Sequence, residues 1–221
     1  IEDKAVFTEG PAVDRAGNVF FTNVSVSKIL KWNPASKQLS VFRKNSHKAN
    51  GLFFDPHGNL LACEGGAKRI TRTDMKTGKS YIIGDFYNGR RFNAPNDITI
   101  DEKGRIYFSD PRYLGHEPID QPVYGVYRID TDGSIHLIIT DAGKPNGVCV
   151  SLDQKSLYVV SNDNGSTGLF ELPDETPMHK GRMALLAYDL ATDGTAKFRE
   201  VLVDYSPQDV ILFRRKLKKK L

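Results

Sequence analysis

Cysteine is scarce in this chain. Cys63 and Cys149 are the only two among 221 residues, and neither sits in a CxxC or Cys/His zinc spacing. Neither a disulfide framework nor a zinc module is indicated, and Cys149, inside an apolar run, is expected to be a small core residue. Long hydrophobic runs are missing too. No stretch approaches the ~18–20 apolar residues of a membrane helix, and the opening Ile1-Glu2-Asp3-Lys4 lacks the basic and then apolar pattern of a signal peptide. A leader removed beforehand stays compatible with the sequence, so cytoplasmic and periplasmic or secreted locations are both open. No segment carries a helical period. G-x-S-x-G, a P-loop and a helix-opening G-x-G-x-x-G are all absent, which removes the serine-hydrolase elbow and the common nucleotide cradles.

Charge of one sign is also lacking, although the formal value is +4. The last eight residues, Arg214 to Leu221, hold six of the positive charges, and without them 25 basic face 27 acidic residues. A nucleic-acid or membrane surface would rest on that tail alone, so neither partner is expected. Residues 1–205 are expected to form one domain and 206–221 an atypical basic, solvated end.

What the sequence does have is repetition. Four segments follow one pattern: Glu9-Gly10-Pro11-Ala12-Val13-Asp14 with Gly17, Asn50-Gly51-Leu52-Phe53-Phe54-Asp55 with Gly58, Asn96-Asp97-Ile98-Thr99-Ile100-Asp101 with Gly104, and a looser Asn146-Gly147-Val148-Cys149-Val150-Ser151 with Asp153. The spacings of 41, 46 and 50 residues are those of propeller blades. Each copy reads as four strands, with an Asp-x-x-Gly hairpin turn between the first two. Second strands are expected at 19–22, 60–63, 106–109 and 157–160, third strands at 28–32, 69–73, 125–129 and 185–188, and fourth strands at 38–43, 80–86, 135–140 and 198–203. The fold class is therefore all-β, a β-propeller of four-stranded blades, with a generic antiparallel sandwich as the alternative. About four blades are covered, and no fifth copy follows Tyr205. Two insertions, 115–124 and 164–182, should decorate one face, and open blade edges offer a route to oligomers.

In a ring, the phase residues Glu9, Asn50, Asn96 and Asn146 converge on one axis. The residues ending the second strands, Asn23, Glu64, Asp110 and Asn162, lie beside them. Carboxylates and amide carbonyls suit a hard divalent cation, Ca²⁺ first, with Mg²⁺, Zn²⁺ or Mn²⁺ as alternatives. Neutral amide ligands leave the ion more Lewis acidity than carboxylates would. Asn-Gly and Asn-Asp also initiate turns, but Glu9 occupies the same phase with no turn role of its own. Glu9, Asn96 and Asn146 are thus the candidate metal ligands. Asn50, Glu64, Arg91, Asn96 and Tyr113 are candidate substrate contacts, and Asp110 is the candidate catalytic carboxylate. His116 and Glu117, in the first insertion, are within reach of the mouth.

Arg91-Phe92-Asn93-Ala94-Pro95-Asn96-Asp97-Ile98-Thr99-Ile100-Asp101, continued by Ile106-Tyr107-Phe108-Ser109-Asp110-Pro111, resembles bacterial gluconolactonases of the senescence marker protein/regucalcin family. Thr8-Glu9-Gly10-Pro11, Ala62-Cys63-Glu64-Gly65-Gly66 and Lys144-Pro145-Asn146-Gly147 resemble the same family in the same order, and the likeness covers roughly residues 5–205. The resemblance implies a six-bladed propeller with one catalytic divalent cation, hydrolysing a small-molecule lactone to a hydroxy acid. By motif match Glu9 and Asn146 correspond to metal ligands, and Asn96 to a substrate or metal contact. The family's remaining ligand, an Asp in an Asp-Gly motif that also serves as general base, has no match; Asp209 is the nearest carboxylate. Asp110 or Glu64 would then assist the attack of water or hold the metal's ligands in place. A related metal-dependent esterase or phosphotriesterase, and a non-catalytic binding propeller, are the other readings of the same scaffold.

Overall fold

A computed structural model describes residues 7–113, 120–163 and 182–205. The insertion residues 114–119 and 164–181, with His116 and Glu117, and the 206–221 tail, with Asp209, lie outside the described residues. Strands β1 (Thr8–Val13), β2 (Val19–Asn23), β3 (Lys28–Asn33) and β4 (Gln38–Arg43) form the first sheet in that order. β5 (Ala49–Phe54), β6 (Leu60–Glu64), β7 (Arg69–Thr73) and β8 (Ser80–Gly84) form the second. A short hairpin, β9 (Phe86–Tyr87) and β10 (Arg90–Arg91), precedes the third sheet of β11 (Ile98–Ile100), β12 (Ile106–Asp110), β13 (Gly125–Ile129) and β14 (Ile135–Ile139). β15 (Pro145–Val150), β16 (Ser156–Asn162), β17 (Met183–Leu190) and β18 (Ala196–Asp204) form the fourth. All neighbours are antiparallel, and no α-helix occurs among the described residues. These are the four-stranded blades of a β-propeller.

The hairpin turns explain why the strands start where they do. Asp14, Asp55 and Asp101 each accept the N–H of the Gly three residues on, at 2.9–3.0 Å. Their carboxylates also accept the N–H groups two and four residues on. The fourth copy keeps this geometry with Ser151 and Gln154, the latter at φ +61°. The strand expected over 80–86 ends at Gly84 instead. Ile129 and Ile135 close in on Gly84, where a Cβ would lie only 3.1 Å from each, and Phe86 opens the separate hairpin.

Three apolar cores fill the gaps between consecutive sheets. Phe20 and Ile29 meet Leu52 and Leu60; Leu61, Cys63 and Ile70 meet Phe92, Phe108 and Tyr127; Tyr107 and Val126 meet Val148, Leu157 and Leu186. Alternation along each strand supplies these faces. Cys149 corrects its expected core role. Its strand neighbours Val148 and Val150 face the third sheet, so Cys149 points to the opposite face and is exposed.

Three of the four innermost strands begin irregularly. The register slips between Glu9 and Ala12, between Ala49 and Leu52, and between Pro145 and Val148. Asn50-Gly51 and Asn146-Gly147 therefore sit in bulges, which re-aim backbone and side chains. The N–H of Gly51, released from its own ladder, donates to the Asn96 carbonyl of the next sheet at 2.6 Å. Gly10, at φ +52°, approaches so closely that a Cβ would stand 2.2 Å from the Asn50 carbonyl oxygen. Gly10→Ala is accordingly expected to cost about 2–3 kcal/mol, from positive-φ strain plus a backbone clash. A urea-unfolding midpoint within error of the unsubstituted chain would refute the close approach.

Candidate functional site

The residues that follow the four phase positions are Gly10, Gly51, Asp97 and Gly147, so one of the four carries a side chain. Asp97 fills room that its neighbours leave. A Cβ on Gly51 would lie 2.8 Å from Asp97 Oδ1, and one on Gly147 would lie 3.7 Å from Oδ2. Asp97 Oδ2 accepts the N–H of Val148 in the fourth sheet at 2.9 Å. Burial pushes the Asp97 carboxyl above its ordinary range, against the two backbone N–H groups that favour its charged form. The Glu9 carboxyl is raised as well, first by burial and then by the negative charge of Asp97. The backbone beside Glu9 reaches Asp97 through the second sheet: a Cβ on Gly10 would stand 2.7 Å from Gly51 Cα, which itself packs against Asp97.

The fourth sheet joins them through Asn146, whose Nδ2 donates to the Tyr113 hydroxyl at 3.1 Å. That bond fixes the amide and leaves its Oδ1 available to a ligand. Burial drives the Tyr113 phenol far above its ordinary range, and the charges of Asp163 and Glu9 add to the effect. Lys144 stacks over the Tyr113 ring at 4.7 Å. Its ammonium is lowered by burial and by Arg112 while Asp163 opposes. Glu9, Asp97, Tyr113 and Asn146 therefore share one half-buried region, drawn from three sheets.

Hydroxyls pin the inner strands around it. Thr22 Oγ1 donates to the carbonyls of Glu9 and Asn50 at 3.1 and 3.0 Å. Ser109 Oγ donates to the Asn146 carbonyl at 2.5 Å and accepts from the Asp97 N–H at 3.1 Å. Sequence reasoning passed over Asp97, Thr22 and Ser109. The signals were present: Asp97 breaks a run of glycines, and a hydroxyl recurs thirteen residues after Glu9 and again after Asn96.

The side chains of Glu64, Arg91 and Asp110 are occupied elsewhere. Glu64 is buried, its Oε1 taken by Arg43 (2.5 Å) and Thr71 (2.9 Å) and its Oε2 by Arg69 (2.7 Å). Arg91, exposed, donates to the Ala67 carbonyl at 2.6 Å and covers the Phe86 ring. Asn50 and Asn96 hold neighbouring sheets through their backbones. Asp110 is fully buried, and its oxygens accept the N–H groups of Asn93 and Ala94, both at 2.8 Å. It fixes the loop that delivers Asn96 rather than meeting water.

Burial pushes the Asp110 carboxyl up to about 7, the two N–H donors and Lys68 opposing. A raised acid binds its proton more tightly folded than unfolded, so its contribution is complete below about pH 4 and fades as pH rises towards 7. Asp110→Asn is expected to flatten that part of the stability–pH curve. An unchanged slope between pH 4 and 7 in urea titrations would contradict the assignment.

A family profile described as SMP-30/Gluconolactonase/LRE-like region matches residues 7–209. The gluconolactonase of Zymomonas mobilis is 31% identical over 183 residues, 74% of this chain and 51% of that protein. The gluconolactonase XC5397 of Xanthomonas campestris superposes with a TM-score of 0.74 at 26% identity, over 90% of this chain and 63% of the other. An X-ray structure from a gluconolactonase-family protein gives a TM-score of 0.78 at 28% identity, over 93% and 67%. The chain spans about half the length of the curated relatives it matches.

Proposed function

Because the chain belongs to the SMP-30/gluconolactonase/LRE-like family, we propose that its site opens a small-molecule lactone to the hydroxy acid with one divalent cation, Ca²⁺ first. The nearness of the Glu9–Gly10 segment, Asp97, Asn146 and Tyr113 supports this reading. The relatives named gluconolactonase and lactonase supply the reaction class.

The residues fit a hard cation. Glu9 and Asp97 bring two negative charges together, and no cationic side chain answers Glu9 among the described residues. Among the described residues no three His, Cys, Asp or Glu cluster at metal-binding distance. Amide oxygens would complete the set, with Glu9, Asn96 and Asn146 holding the ion. When bound, the ion supplies Lewis acidity towards a carbonyl oxygen.

The chain's own residues do the rest. Asn146, oriented by Tyr113, offers its amide oxygen, and the Tyr113 ring walls the mouth with its phenol kept neutral. Asp110 holds the N–H groups of Asn93 and Ala94, in the loop that leads to Asn96. Water adds to the lactone carbonyl carbon, the ring C–O bond breaks, and the leaving oxygen takes up a proton to give the hydroxy acid. A pH-stat assay with gluconolactone tests the reading. Opening faster than the spontaneous rate, abolished by chelator and restored by Ca²⁺, is expected. Metal binding without turnover would favour a binding propeller instead.

A further inference from the structure

We infer that Asp97 supplies a second carboxylate to the cation site, acting across the axis from Glu9; this rests on the metal-site reading above. Three observations carry it. Asp97 stands at the one position of the inner ring where the other copies have glycine, and those glycines leave the space its carboxylate occupies. Its Oδ2 is anchored to the Val148 N–H, so the group cannot swing away to solvent. The space it enters adjoins the strand of Glu9: a Cβ on Gly10 would stand 2.7 Å from Gly51 Cα, and one on Gly51 would stand 2.8 Å from Asp97 Oδ1. Two like charges held by backbone from different sheets are a standing repulsion, which a divalent ion relieves. A site of one carboxylate and two amides would bind weakly, because affinity in oxygen-ligand sites rises with the number of charged ligands.

A staple between sheets is the competing role, and substitution separates the two. Asp97→Asn keeps an oxygen to accept from Val148 but removes the charge, whereas Asp97→Ala removes both. Calorimetric titration of the full chain with Ca²⁺ is expected to give an affinity about 10- to 100-fold weaker for Asp97→Asn, with its thermal midpoint near that of the parent. Full affinity in Asp97→Asn, with loss confined to Asp97→Ala, would overturn the inference and leave Asp97 a staple. Should Asp97→Asn fail to fold, infrared spectra of the parent chain labelled with ¹³C-aspartate give the answer. Ca²⁺ is expected to shift an aspartate carboxylate band, and no shift would overturn the inference. A parent chain that binds no Ca²⁺ defeats the site reading itself. Binding lost in Glu9→Gln but untouched in Asp97→Asn defeats this inference alone.

Discussion

Glu64→Ala is expected to lower the unfolding free energy by about 3–5 kcal/mol, the cost of stranding buried cations. The Glu64 carboxylate is almost wholly enclosed and serves two arginines and a threonine. Arg43 ends β4 of the first sheet while Arg69 opens β7 of the second, so one carboxylate ties two blades together. Arg43 and Arg69 are themselves only 17% and 25% exposed at their side chains, and water cannot fully replace the lost partner. Urea unfolding checks the size of the loss. A companion triple variant, Arg43→Met, Arg69→Met and Glu64→Leu, is expected to recover much of it, since apolar groups of similar volume often replace a buried ionic cluster without penalty. A change below about 0.5 kcal/mol in Glu64→Ala, typical of a surface position, would return Glu64 to the substrate contacts.

Glu9→Gln is expected to reduce lactone opening by about 10²–10³-fold, the size of effect seen when one stabilising group for a developing oxyanion is removed. The substitution is nearly isosteric and leaves the backbone contact between the Glu9 carbonyl and Thr22 intact. Stability should hold or rise, because Glu9 is raised by burial and by Asp97, and the amide carries no charge to repel. The combination of lost turnover and retained midpoint separates a ligand from a structural residue. Equal losses in both would make Glu9 a packing element of β1.

Much of the fold was legible because it is written locally. The Asp-x-x-Gly turns fix hairpin starts through bonds two to four residues long, and alternation fixes which face each strand buries. The phase residues were picked out by repetition, since equal positions in equal units are expected at one axis. What stayed hidden depends on neighbours far along the chain. Glu64 and Asp110 end second strands as the pattern implied, but Arg43 from another sheet and the Asn93–Ala94 loop claim their carboxylates. Composition carries no trace of those partners. Cys149 failed for a similar reason: an apolar run does not say which of its two faces meets the next sheet. Asp97 was visible as an exception to a glycine pattern. Its meaning came only with the space that Gly51 and Gly147 leave around it.

In the proposed site, separate sheets bring Glu9, Asn96 and Asn146 around one cation. Calorimetric titration of the full chain with Ca²⁺ tests it most directly. A single site per chain is expected, abolished by Glu9→Gln and by Asn146→Ala alike, although these residues belong to different blades. Undiminished affinity in either variant would contradict the claim.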